Sequence, residues 1–343
     1  MLIKHYAPRP PLSIELWRGQ VLESQHRVHA VVVNERGEVI HSWGDPALVT
    51  TARSSLKPFQ LWSNLKLGAF AGLELSKAEV ALMCASHNGE EMHTELCARL
   101  LARLGLDETA LECGAHLPYD KEAAHQLIRE GKLPTAIHNN CSGKHCGMLG
   151  AQLATQDPQS YLEVDHPVQA ALFASLKSLL MIERELKWGV DGCSLPTPAL
   201  KIVELAQLFS ILAAARRPQA KMSDEHLDLI YTSMVERPEH VAGTGRFDTA
   251  LMRAAGGSIL SKVGGEAVRG LAIRHGTQRF GIAFKVEDGS MRALHPACLH
   301  VLLTLGYLAE EQMSEELRGF ARGSEQSWAG RPATHIEVND GDQ

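Results

Sequence analysis

The stretch Thr51-Ala-Arg-Ser54-Ser55-Leu-Lys57-Pro-Phe-Gln60 marks the point where the chain changes from strand to helix. Upstream, Arg27 to Asn34 and Val39 to Trp43 read as strands around a Glu35-Arg-Gly-Glu38 turn, because β-branched residues flank a glycine-bearing reversal. From Ser54 onward Leu56, Phe59, Leu61, Trp62, Leu65 and Leu67 recur at helical spacing. Pro58 falls in the first turn, where its missing N–H costs little. Ser54 and Lys57 are then neighbours on one face. A serine hydroxyl attacks only when an adjacent base takes its proton, and a lysine serves as that base only if burial or a second cation lowers its pKa. Arg53 supplies part of such a field. The motif alone is close to chance, since Ser63 and Lys66 repeat it further along, where a solvated edge is expected.

At 343 residues, with 45% hydrophobic and 22% charged residues, the chain has the composition of a globular enzyme with a substantial core. Net charge is −6 with Lys and Arg dispersed, so there is no basic footprint for nucleic acid. The N-terminus, Met1 to Pro11, carries charge and prolines where a signal peptide needs an apolar run, and no stretch approaches a membrane span. The seven cysteines (Cys84, Cys97, Cys113, Cys141, Cys146, Cys193 and Cys298) are an odd number spread along a large chain. They fit reduced thiols in the cytoplasm better than a disulfide framework.

Ser13 to Leu22 forms a further opening strand, and residues 54 to about 236 read mainly as helix. Helices are expected over Ser76 to Ala85, Glu91 to Leu104, Asp120 to Arg129, Asp165 to about Glu183, Ala199 to Ala215 and Asp224 to Glu236. Strands return at Ile259 to Val263, Ala267 to Arg274, Arg279 to Val286 and Met291 to Leu294, followed by a helix from Pro296 to Leu308. The last residues, about a dozen, read as a polar tail. Strands at both ends with a helical insert imply a single catalytic α+β (αβα) domain over 1–343, an antiparallel sheet with flanking helices. The sheet lobe takes roughly 1–50 and 258–330, and the helical lobe 51–257.

That order resembles the serine β-lactamase and penicillin-binding fold. Ser86-His87-Asn88 has its Ser-x-Asn form and Lys262-Val263-Gly264 its Lys-x-Gly form, in the matching chain order after Ser54 and Lys57. Val263 stands where Thr or Ser is usual, which tells against a penicillin substrate. Longer runs narrow the resemblance: Arg53 to Gln60, Cys84 to Glu90, Asn139-Asn-Cys-Ser-Gly-Lys-His-Cys-Gly147, Val190-Asp-Gly-Cys-Ser-Leu-Pro-Thr-Pro198, Pro238 to Arg246 and Ser261 to Glu266. Together they are similar to the rhizobial-type (class 3) L-asparaginases of the asparaginase II superfamily, over nearly the whole chain.

The resemblance implies hydrolysis of L-asparagine to L-aspartate and ammonia by two serine–lysine pairs beside a zinc site, in a homodimer. Carried across, Ser54 pairs with Lys57 and Ser86 with Lys262, and Cys141, Lys144 and Cys193 hold Zn2+. Arg53, Asp191 and His145 are assigned to substrate binding. By spacing alone His145 competes with Lys144 as a ligand, being the commoner metal donor. The bland readings are a helix-ending Ser86, small core cysteines at positions 84, 97, 113 and 298, and a turn at Gly243-Thr-Gly245. Asn139 to Gly147 fails as a phosphate loop, since His138 stands where its first glycine belongs and His145 follows the lysine. Lys262, within an apolar strand, must reach solvent or serve a site. The alternatives are a glutaminase or penicillin-type hydrolase on the same fold, or a zinc-binding protein without catalysis.

Overall fold

A computed structural model describes residues 9–218, 220, 222–323 and 325–341. Most of the N-terminal segment read above, residues 1–8, lies outside the described residues. In chain order the elements begin with β1 (Leu12–Arg18), β2 (Val21–Asn34), β3 (Val39–Trp43), β4 (Val49–Thr51), α1 (Lys57–Lys66), α2 (Lys77–Met83), α3 (Glu91–Arg103) and α4 (Lys121–Arg129). There follow α5 (Ser142–Thr155), α6 (Pro167–Leu180), β5 (Trp188–Val190), β6 (Pro196–Lys201), α7 (Ile202–Ala214), α8 (Glu225–Glu236), α9 (Pro238–Val241) and α10 (Phe247–Ala254). The last are β7 (Ile259–Gly264), β8 (Val268–His275), β9 (Gln278–Val286), α11 (Met291–Thr304), α12 (Glu315–Arg322) and β10 (His335–Asn339).

The class is α+β, and the chain divides into two compact units: Met1–Ser55 with Leu200–Ala214 and Ala250–Gln343, and Leu56–Ala199 with Ala215–Thr249. The first holds a seven-stranded sheet in the order β10-β1-β2-β9-β8-β7, with β3 also paired to β2. Its pairings are antiparallel. Leu12, Ile14 and Leu16 of β1 are buried while the residues between them are not, the period-two pattern of a strand with one covered face. Residues Val28–Val33 of β2 are buried without alternation, as expected of a strand covered on both faces. The expected turn after β2 is closed by Asn34, whose Oδ1 accepts from the N–H of Arg36 at 2.9 Å and of Glu38 at 3.1 Å. Helix α7 lies against β2, β8 and β9, because two strand glycines let it close. A Cβ on Gly270 would come within 1.9 Å of the Phe209 ring, and one on Gly281 within 1.9 Å of Ala206 O.

The second unit is helical, with α5 at its centre: residues from Ser142 through Ala151 are buried, and the helix touches α1, α2, α3 and α6. A Cβ on Gly143 would fall 2.3 Å from Leu82 O, and one on Gly150 2.7 Å from the Phe70 ring. The glycines thus let α5 approach main chain and aromatic ring closely, at the expense of helix propensity. Side chains fix the starts of the neighbouring helices. Ser76 and Glu79 form a capping box on α2, Asp120 caps α4, and Asp224 caps α8 while also accepting from Trp62 Nε1 at 3.1 Å.

Several expectations need correction. Met291–Leu294 is not a strand but the first turn of α11, which carries Pro296 inside it. Four residues are too few to separate strand from helix by periodicity. The end of the chain is not simply a tail, since β10 pairs with β1 from Ser13↔Asn339 to Trp17↔His335. Residues Leu200–Ala214, read with the helical lobe, group with the sheet. Ser63 is buried, 3.2 Å from Ser175 Oγ, although Lys66 is exposed as a solvated edge would have it.

Candidate active site

The chain enters α1 through a 3₁₀ turn, Arg53–Leu56, with Pro58 in the first α-helical turn. Arg53 has φ +49°, a left-handed conformation that costs a side-chain-bearing residue about 1 kcal/mol. Two glycines at the end of β7 receive it. A Cβ on Gly265 would stand 3.0 Å from the Arg53 guanidinium carbon, and one on Gly264 3.1 Å from Ala52 O and Ser55 N. Ser54 is half-buried within this turn. Lys262 is fully buried opposite Gly270, and its Nζ donates to Val263 O at 2.8 Å. These residues belong to the first unit.

In the second unit Lys57 is 1% exposed, and its Nζ donates to Ala85 O, to Ser86 Oγ at 2.9 Å and to Cys141 Sγ at 3.2 Å. The Nζ atom has three partners, so its position is fixed by the residues that follow α2 and precede α5. Ser86 is held in turn by its backbone N–H, which donates to Val241 O at 2.9 Å. Within this unit the lysine partner of Ser86 is therefore Lys57.

Beside them Cys141, Lys144 and Cys193 meet. Lys144 Nζ donates to Cys193 Sγ at 2.8 Å, and Cys193 shares a hydrogen bond with Cys141. That bond, with the Lys57 and Lys144 charges, holds the Cys141 thiol well below its usual range against the opposing effect of burial. The same bond, with burial, pushes the Cys193 thiol up. Burial lowers the Lys144 pKa, but the charges of Cys193, Cys141 and Asp191 outweigh it and leave it raised. Asp191 shapes the loop that presents Cys193: its N–H donates to Leu195 O and its Oδ1 accepts from Gly192 N at 2.8 Å.

His145 makes different contacts. Tyr161 OH accepts from Glu112 N at 2.9 Å and so donates to His145 Nδ1, also at 2.9 Å. That leaves the proton on Nε2, which is buried without a partner among the described residues. Burial first, then the Lys144 and Lys57 charges, keep the ring neutral. Lys144, and not His145, is the residue hydrogen-bonded to Cys193.

Stripped of protons, Cys141, Cys193 and Lys144 offer two thiolates and an amine around one buried point, a donor set that fits zinc. No group of three or more His, Cys, Asp or Glu side chains among the described residues could hold a metal.

Sequence reasoning singled out Ser86 and left its neighbours without a role. Gly89 N donates to His87 Nδ1 at 3.1 Å, so the proton sits on Nε2, which lies 3.0 Å from Ser142 Oγ. His87 is fully buried, stacked on His93 at 4.8 Å, and kept neutral by burial and by the His93 and Lys57 charges. It ties the Ser86 loop to the first turn of α5. One turn deeper, Cys97 and Cys146 sit 3.2 Å apart as buried thiols. The only signal for these partners was the presence of His87 and Ser142 inside the quoted runs; neither spacing nor period joins them.

A family model described as L-asparaginase II matches residues 14–338. Among curated proteins no sequence match is found. Among solved structures, "Crystal Structure Analysis of Mglu in its tris and glutamate form" is 13% identical, covering 89% of this chain and 64% of that one with a TM-score of 0.38. "Crystal Structure Analysis of Mglu" is 14% identical, covering 83% and 68%, with a TM-score of 0.37. The chain thus spans just under two thirds of the first of these structures.

Proposed function

We propose that this chain, which belongs to the L-asparaginase II family over residues 14–338, hydrolyses the side-chain amide of L-asparagine to L-aspartate and ammonia. The observation that carries the reading is the buried hydrogen bond from Lys57 Nζ to Ser86 Oγ, 2.9 Å long and 3.2 Å from the Cys141 sulfur. A serine hydroxyl joined to a buried lysine amine is an arrangement for moving a proton off oxygen, which acyl transfer requires and a metal staple does not.

In the reaction, Ser54 Oγ attacks the amide carbon, and its proton passes to the lysine–serine system of Lys57, Ser86 and Lys262. The C–N bond breaks, and the nitrogen leaves as ammonia with that proton. Water then cleaves the acyl-enzyme by the same route, releasing aspartate. Backbone N–H groups at the start of α1 would receive the developing oxyanion. Cys141, Lys144 and Cys193 would hold a zinc ion, which when bound supplies a fixed positive charge that shapes and orients the substrate pocket. Arg53, Asp191 and His145 are proposed to position the substrate, in a homodimer working in the cytoplasm. No helix among the described residues is long and apolar enough to cross a membrane.

Ammonia release by purified protein, measured with L-asparagine, L-glutamine and a chromogenic cephalosporin, tests this reading. Turnover of asparagine above the other two is expected. Inactivity toward asparagine across a broad pH range would remove it.

A further inference from the structure

Two segments run side by side at the back of the Ser86 loop. Ser86 N donates to Val241 O at 2.9 Å, Asn88 Nδ2 to Thr244 O at 3.0 Å, and Thr244 N to Glu90 Oε1 at 2.7 Å. Thr244 Oγ1 adds a bond to Glu90 Oε2 at 3.0 Å. Gly243, at φ +110°, is seated against this loop so closely that a Cβ would lie 2.5 Å from both Asn88 Nδ2 and Glu90 Oε1. The Gly243–Arg246 turn is therefore clamped to residues 86–90 and cannot drift from them.

The clamp delivers Arg246. Asn88 spends its amide nitrogen on Glu90 Oε1 and Thr244 O, which forces its oxygen toward Arg246, whose Nη1 donates to it at 2.7 Å. The guanidinium is half-buried, and among the described residues it makes no ion pair with a carboxylate. Both oxygens of the nearby Glu90 are already engaged by Asn88 and Thr244. A guanidinium carries five donors in a planar fork, and a single neutral oxygen satisfies one of them.

The segment before α4 lies against the same loop. Asp120 N donates to Asn88 O at 3.0 Å, and Pro118 packs on Gly89. Between them Tyr119, 57% exposed, stacks on His116 at 4.8 Å. Burial, then the Cys141 charge, raise the Tyr119 pKa while the Arg246 charge opposes them, which places phenol, thiol and guanidinium in one neighbourhood.

We infer that Arg246, fixed by Asn88 two residues from Ser86, anchors the α-carboxylate of the amino-acid substrate. The proposal rests on the amidohydrolase reading and specifies its substrate class: an α-amino acid with a free carboxylate, gripped by two parallel N–H···O bonds that a neutral analogue cannot form. It gives Arg246 a binding role, distinct from the proton transfers at the serines.

The test measures ammonia release from L-asparagine and from L-asparagine methyl ester, which keeps the reacting amide and lacks the anionic carboxylate. Wild type is expected to favour the free acid strongly. In Arg246→Met, kcat/KM for asparagine should fall about 100-fold, chiefly through KM, while that for the ester changes less than about twofold. Arg246→Lys, which keeps the charge without the fork, should lose about tenfold on asparagine and nothing on the ester. If Arg246→Met does not fold, the Arg246→Lys comparison decides. Equal losses on both substrates, or an unchanged KM for asparagine, would overturn the inference and leave the amidohydrolase reading intact. A wild type inactive on both substrates, and on glutamine and its methyl ester, would overturn both.

Discussion

Lys57 Nζ lies 2.9 Å from Ser86 Oγ, so the lysine that follows Ser54 in sequence is bonded to a serine 29 residues beyond it. The same amine also reaches the Cys141 sulfur, at 3.2 Å. On the proposed mechanism, substitution of Lys57 by Met keeps the length and removes the amine, and kcat should fall by at least about 100-fold.

Ser54→Ala is expected to abolish turnover while unfolding shifts by at most about 1 kcal/mol, since only a half-buried hydroxyl in a helix-start turn is lost. Mass spectrometry of a trapped acyl-enzyme provides the check. An adduct on Ser86, or activity in Ser54→Ala above a few per cent of wild type, would move the nucleophile to Ser86.

Zinc should be present at one ion per chain in protein purified without chelators, by elemental analysis. Chelation should raise KM more than it lowers kcat at saturation. Full metal content in a Cys141→Ala, Cys193→Ala double variant would refute the ligand assignment.

Glu79 offers a test of stability against pH. Burial tends to raise its pKa, but the hydrogen bond from Arg103 and those from Ser76 N and Oγ, each 2.8 Å, outweigh burial and lower it. A carboxyl depressed in the folded state contributes stability that is complete above its ordinary value of 4.5 and lost as pH falls through the folded value. Glu79→Gln should therefore cost about 1 kcal/mol at neutral pH, and the gap to wild type should close in acid below pH 4.5. A gap that persists there would show the loss to be one of packing.

Gly143→Ala places a methyl carbon 2.3 Å from Leu82 O, a main-chain atom that cannot swing aside. Destabilisation of about 3 kcal/mol is expected in denaturant melts, at the upper end of overpacking costs.

The strands of the sheet were readable because one or both faces of each are buried, and burial writes period two or a β-branched run directly into residues such as Leu12 to Leu16 and Val28 to Val33. Helix α5 was not, because the glycines that let it touch Leu82 and Phe70 are poor helix formers, and no helix is expected there from periodicity. The turn that carries Ser54 into the helix of Lys57 was legible locally. The bonds from Lys57 to Ser86 and Cys141 were not, since they depend on how the end of α2 and the start of α5 meet. That Lys144 bonds Cys193 while His145 bonds Tyr161 was likewise undecidable from spacing, since it depends on the direction each side chain takes from the helix. Arg246 was quoted within a run and given no role, because its tether to Asn88 joins residues 158 positions apart.

The contact of Gly143 with Leu82 O has a mechanical meaning. Leu82 lies just before Ala85 and Ser86, and Gly143 lies between Cys141 and Lys144. The span between the serine and the sulfur is thus gauged by main chain resting on main chain, with no rotamer in between. Side chains exchange rotamers in nanoseconds, whereas two abutting backbones separate only when their helices part. The spacing between hydroxyl and thiol is consequently a property of the helix pair, retained in full until that pair comes undone and then lost at once.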